Sequence, residues 1–252
     1  ALQCARARTV VTDERAWLLE RRLVTLVDHA DLYLSRFRSN KWLAKHVQVE
    51  GNWPAANEKA LILTYHWGAG MWALRHAAQQ ARHNHMMLAV GADQGASIAN
   101  MYLRARLKEV EAATGRPVVP VEVSPHTHTA PRKKRVDFSR IHAVWDKNEQ
   151  LLAVIDVPPD QVGRSVAVSV NGLAAKAPIL LFEMCVVRQV PLWVFWMNFD
   201  LETGRRRLTI KGLGTENDPR KLVDATFDQL SELLRTRPAS WHFWSIADRY
   251  YN

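Results

Sequence analysis

Ala60-Leu61-Ile62-Leu63-Thr64-Tyr65 is a short, unbroken apolar run that ends at His66-Trp67-Gly68-Ala69-Gly70. A run of this length that does not alternate has the form of a strand buried on both faces. Leu151-Leu152-Ala153-Val154-Ile155 repeats the form and stops at Asp156. Working outward, Met86–Val90, Pro117–Val123, Val166–Val170 and the Trp-rich Pro191–Phe199 read as further strands, and Arg206–Lys211 as an edge strand. Helical stretches fall between them: one from about Met71, Ala96–Thr114, one ending near Gln150 after a loop over 126–140, Pro178–Arg188, and the amphipathic Asp218–Arg235. Strands alternating with helices predict an α/β fold with a mostly parallel central sheet flanked by helices on both faces. No repeat, low-complexity linker or compositional break divides the 252 residues, a length that one large α/β domain fills, so 1–252 is expected to be a single domain.

Ahead of the first strand, residues 13–46 read as a helical segment. Trp17, Leu18, Leu26 and the run from Leu32 to Phe37 repeat at three- and four-residue spacing, with Arg21-Arg22 among the basic residues. A basic amphipathic helix suits a membrane surface, and it suits packing on the domain equally. The 34 Lys and Arg against 25 Asp and Glu leave a net charge of +9. That excess attracts anionic partners, whether nucleic acid, acidic headgroups or phosphorylated substrates, without choosing among them. Arg132-Lys133-Lys134-Arg135 carries part of it and reads as a solvated loop. A composition of 48% hydrophobic and 23% charged residues excludes intrinsic disorder. The longest apolar candidate, 177–199, is interrupted by Glu183, Arg188 and Pro191, which argues against a membrane span. The chain begins at Ala1, which leaves room for a leader or anchor ahead of it. Two cysteines do not make a disulfide framework: Cys4 lies near an end expected to be mobile, and Cys185 reads as a small core hydrophobe.

Ligand-binding groups in α/β sheets gather where strands end and helices begin. His66 and Asp156 occupy two such positions. His66, beside a helix start, suits a general base on a hydroxyl, and a buried imidazole bonded to backbone fits the same pattern. Gly68 and Gly70 would let a substrate approach the backbone. Arg104 and Arg106 are candidates for a phosphate on a carrier or headgroup, or for a solvated helix face. The pairs His83/His85 and His126/His128 lack a Cys or carboxylate cluster beside them, so no metal site is expected.

Leu61-Ile62-Leu63-Thr64-Tyr65-His66-Trp67-Gly68 resembles the strand and His-containing turn of the lipid A late acyltransferases and the related phosphatidylinositol mannoside acyltransferases. Asn100 to Arg106, Leu152 to Asp156, Val187 to Pro191 and the closing Arg237-Pro238-Ala239-Ser240-Trp241-His242-Phe243-Trp244, with Asp248-Arg249-Tyr250, follow in matching order. The resemblance covers about Leu32 to Tyr250 and implies a glycerolipid-acyltransferase-like fold. It also implies a bacterial enzyme at the cytoplasmic face of the inner membrane, where a His removes a hydroxyl proton and the oxygen attacks a carrier thioester. Acyl carrier protein or coenzyme A would present the acyl chain as cosubstrate, a lipid or glycolipid would accept it, and no metal or other cofactor would take part.

One departure stands out. The family places an acidic residue five positions after the His, and here that position is Met71. A thioether cannot balance an imidazolium charge, so either another carboxylate serves or the protein binds acyl groups without turnover. Asp156 is the first choice for the substitute, Asp93 in Gly91-Ala92-Asp93-Gln94-Gly95 the second and Glu183 the third; Asp93 also fits a turn and Glu183 a pairing with Arg188. Acyl transfer is the leading reading and a non-turnover acyl-binding protein the alternative. Nucleic-acid binding ranks last, because no recognition helix, zinc knuckle or stacking motif accompanies the basic charge.

Overall fold

The computed structural model describes residues 1–8, 11–68, 70–80, 84–91, 108, 111, 118–123, 139–159 and 164–251. The helices are α1 (Leu2–Arg6), α2 (Glu14–Phe37), α3 (Asn40–His46), α4 (Gly70–Gln80), α5 (Ser139–Asp146), α6 (Leu180–Arg188) and α7 (Pro219–Thr236). The strands are β1 (Val47–Glu50), β2 (Ala60–Thr64), β3 (Asn84–Gly91), β4 (Val118–Val123), β5 (Gln150–Val154), β6 (Ser165–Val170), β7 (Leu173–Pro178), β8 (Leu192–Phe199) and β9 (Arg206–Gly214). Two 3-10 segments, Pro238–Ser240 and His242–Arg249, close the chain.

Seven strands form one sheet in the order β1-β9-β8-β2-β5-β3-β4, with β6 and β7 apart as a hairpin. Every pairing in the large sheet is parallel except β8 with β9. The central strands are buried on both sides. Leu61, Leu63, Leu151, Ala153, Leu192 and Val194 pack under α5, α6 and α7, while Ala60, Ile62, Leu152, Phe195 and Met197 pack under α3 and α4. This is why β2 and β5 read as continuous apolar runs rather than alternating ones.

Three expectations are corrected and a strand is added. The helix expected over 13–46 is two helices: Arg38 leaves helical geometry and the Ser39 side chain accepts from the Trp42 N–H, capping α3. Arg206–Lys211 is not an edge, because β1 pairs in parallel with β9 through Val47–Glu50 and covers it. Leu173–Pro178 is a strand that the sequence reading leaves out; Asn171 (φ 53°) and Gly172 (φ 78°) make the two-residue left-handed turn that joins it to β6. The Cys4 end is anchored: α1 packs on the last 3-10 segment, and the Arg8 guanidinium bonds Asp248 at 2.8 Å.

α2 is held to the sheet by a buried charge. Asp31 accepts from the Arg206 guanidinium (Nε to Oδ2 2.9 Å), which lies over the Trp72 ring at 4.0 Å, and the Trp72 indole donates to the Asp31 carbonyl at 3.2 Å. Burial lifts the Asp31 carboxyl to about 6, against the opposing pull of Arg206. Replacing Arg206 by Leu leaves that carboxylate without its counter-charge and should cost about 3–5 kcal/mol at pH 8. A folded-state pKa above the unfolded value means stability is lost as pH rises through the folded value. The penalty should therefore shrink toward pH 5, and Asp31→Leu with Arg206→Met should recover most of it. Urea denaturation of the variants at both pH values checks this.

Candidate active site

β2 and β5 run side by side in parallel, with Ala60 opposite Gln150 and Thr64 opposite Val154. Ile155 continues the ladder by donating to the Thr64 carbonyl at 2.9 Å. Two residues further on each chain stand His66 and Asp156, so the register itself brings them together at the strands' carboxyl ends. From that point α4 leaves onto one face of the sheet, and the chain through the hairpin and α6 leaves onto the other. Such divergence opens the crevice in which α/β proteins bind ligands.

The Asp156 carboxylate is buried, and its hydrogen-bond partners among the described residues are all donors. The His66 backbone N–H reaches Oδ1 at 2.9 Å and Oδ2 at 3.0 Å, and the Trp241 indole donates to Oδ2 at 2.8 Å. His66 Nδ1 lies 2.9 Å from Oδ1, which assigns the ring proton to Nδ1 and the lone pair to Nε2. The His66 side chain is 34% exposed and that of Asp156 1% exposed, so the imidazole is reachable while its partner is shielded. Phe243 stacks on the His66 ring, with centroids 3.8 Å apart and planes 28° apart. The ring plane is thus set by stacking on one side and a hydrogen bond at its edge.

The C-terminal segment builds the rest of the site. The Gly68 N–H donates to the Ser240 carbonyl at 3.0 Å and the His242 N–H to the His66 carbonyl at 2.8 Å. Trp241 packs edge-on against Trp244 and Tyr250, and the Tyr250 hydroxyl donates to the Asp156 carbonyl at 2.9 Å. Arg21 of α2 donates to the carbonyls of Ala239, Trp241 and His242 at 3.1, 2.8 and 3.0 Å. Tyr65, beside His66 in the chain, points away and donates to the Thr226 carbonyl at 2.6 Å; burial, and then Asp156, raise its phenol well above the usual value.

Of the residues singled out from sequence, His66 and Asp156 are in contact. Gly68 (φ 54°) is close to protein: a Cβ there would sit 2.2 Å from the Met197 carbonyl oxygen of β8, so a tight chain crossing is what demands the glycine. At Gly70, the first residue of α4, a Cβ would meet nothing within 4 Å. Met71 lies in the first turn of α4. Glu183 takes neither suggested part: it pairs with Arg164 at 2.7 Å, and Arg188 pairs with Asp146 at 3.0 Å. Asp93, Arg104, Arg106, His83, His126, His128 and the Arg132–Arg135 run lie outside the described residues, as does most of the helix expected over 96–114. Among the described residues no three His, Cys, Asp or Glu side chains gather as a metal would need, and no helix is long and apolar enough to cross a membrane. Cys185 is buried, and burial raises its thiol.

Sequence reasoning matches the closing segment as a pattern but assigns no role to Trp241, His242, Phe243 or Tyr250. The signal for them is the density of aromatic residues at 241–251. No protein-family model matches the chain, and no curated protein does either.

His242 adds a second imidazole behind the first. Its Nε2 lies 2.9 Å from the Gly68 carbonyl, which makes it a donor there, and 4.0 Å from Asp28 Oδ2. Burial lowers its pKa below the usual imidazole value, against Asp28 and the Gly68 carbonyl, which favour the charged form. The unfolded chain then binds more protons than the folded one just below the free-histidine value, so stability is present above pH ~6.5 and is lost as pH falls. His242→Gln keeps a donor for Gly68 and removes the titration. The stability difference between the two proteins should shift in the variant's favour between pH 7.5 and 5.5, as read by denaturant midpoints.

Proposed function

We propose that this protein is an acyltransferase with a glycerolipid-acyltransferase-like fold, moving an acyl chain from a carrier thioester to a hydroxyl of a lipid or glycolipid. The observation that carries the reading is the His66–Asp156 pair at the carboxyl ends of two adjacent parallel strands. It offers the carboxylate that Met71 does not. In this reading His66 Nε2 takes the proton from the acceptor hydroxyl, and the oxygen attacks the thioester carbonyl carbon. The C–S bond then breaks, and the leaving thiolate takes the proton back from the imidazolium. Products are an ester and a free carrier thiol. Asp156 keeps the proton on Nδ1 and balances the transient positive charge, while Trp241 and the His66 N–H hold the carboxylate in place. The ordered resemblance from about Leu32 to Tyr250 supports the choice of substrate class, and the partners it implies are acyl carrier protein or coenzyme A thioesters.

The second reading, a protein that holds acyl groups without turnover, is kept in view by Met71. Labelled acyl carrier protein and acyl-coenzyme A donors, with a lipid extract as acceptor, separate the two. On the acyltransferase reading, His66→Ala and Asp156→Asn each lower transfer by roughly three to four orders of magnitude, and the double variant loses no more, because both remove one proton-accepting unit. Met71→Asp should add little. Wild-type turnover at background, raised by Met71→Asp, would favour the non-turnover reading. Strong wild-type transfer that survives His66→Ala would refute the site.

A further inference from the structure

Among the described residues, five of the large hydrophobic side chains left exposed belong to α2: Leu18, Leu19, Leu26, Tyr33 and Phe37. Four of them follow one another at spacings of seven, seven and four, and so form a single stripe along the helix. They are 60%, 65%, 68% and 78% exposed in chain order. The inner face of α2 is already occupied: Trp17, Val24 and Asp31 are buried, and Arg21 is bonded to three carbonyls of the closing segment. The stripe is therefore not the core-facing side of the helix.

Basic side chains run beside it. Arg15, Arg22 and His29 are exposed and share the same seven-residue spacing. Arg21, Arg22, Thr25, Leu26 and His29 line a shallow groove of about 370 Å³ next to the stripe. Asp28 and Asp31 lie on the opposite side of the helix, toward His242 and Arg206, and Glu14 at the helix start is paired with Arg6 at 3.0 Å. An apolar ridge bordered by cations, on a chain of net charge +9, complements a surface that is apolar below and anionic above. A second copy of the chain would bring two positively charged faces together.

We propose that the outer face of α2 is the docking surface for an anionic lipid bilayer, with the helix lying flat in the headgroup region. Leu19, Leu26, Tyr33 and Phe37 enter the acyl boundary, and Arg15 and Arg22 meet the phosphates. At 24 residues the helix offers about 36 Å of contact. Arg21, at the inner edge of that groove, ties this surface to the segment that carries Trp241 and Phe243. The proposal rests on the exposed face of α2 and not on the acyl-transfer reading.

The test is co-sedimentation of the whole chain with phosphatidylcholine vesicles and with phosphatidylcholine–phosphatidylglycerol vesicles, over a range of salt. The wild type should bind the anionic vesicles at least about tenfold better than the neutral ones. Leu26→Ser with Phe37→Ser should lose tenfold or more of that binding, and Arg15→Gln with Arg22→Gln should flatten the salt dependence. Leu19→Ser with Tyr33→Ser is the second apolar pair, and unchanged thermal midpoints show that each variant is folded. The proposal is overturned if the wild type binds neither vesicle or if folded apolar-pair variants bind as it does. It also fails if the wild type is a dimer that Leu26→Ser with Phe37→Ser dissociates.

Discussion

Parallel strands cannot be joined by a tight turn, so each parallel pair must be set by packing across a long stretch of chain. The pairing of β2 with β5 is the one on which this protein turns. Its two carboxyl ends bring together His66 and Asp156, which are ninety positions apart in the chain. A slip of one residue would send every side chain of one strand to the other face of the sheet. Leu61, Leu63, Leu151 and Ala153 packed on one side, with Ala60, Ile62 and Leu152 packed on the other, are what forbid it.

A buried carboxylate is the second demand. Left unpaired it would be far more costly than any apolar contact could offset, and Asp156 is met by three N–H groups from two segments: the backbone and ring of His66, and the indole of Trp241. The last of these obliges the C-terminal segment to lie against the turn that follows β2. Once there, the segment stacks Phe243 on His66 and offers its carbonyls to Arg21. A single buried charge thus couples the sheet, the C-terminal segment and α2. Asp31 with Arg206 repeats the arrangement on the other side of the sheet and ties the same helix to β9.

The sheet's class was legible because burial on both faces leaves an unbroken apolar run, and β2, β5 and β8 carry such runs. The strands that escaped the reading lack that mark. β1 is four residues, Val47-Gln48-Val49-Glu50, and half polar; only its pairing with β9 makes it a strand. β7, Leu173-Ala174-Ala175-Lys176-Ala177-Pro178, is alanine-rich and weak in strand preference, although the Asn171-Gly172 pair before it was a hairpin signal in plain sight. The break between α2 and α3 is a local matter too, since Ser39 caps the second helix as its residue type allows.

For the site, sequence alone determined the ingredients: a His and an Asp, each at the end of a buried strand. Those facts follow from local pattern and need no knowledge of what lies across the sheet. Tertiary structure decided which carboxylate stands beside the imidazole, because contact depends on strand order and register, and neither is written in either strand by itself. It also brought in Trp241, Phe243 and Arg21, whose residue types by themselves do not name their contacts. Trp241 and Arg21 are placed by the hydrogen bonds that Asp156 and the carbonyls of the closing segment require once they are removed from water, and Phe243 by stacking on the His66 ring.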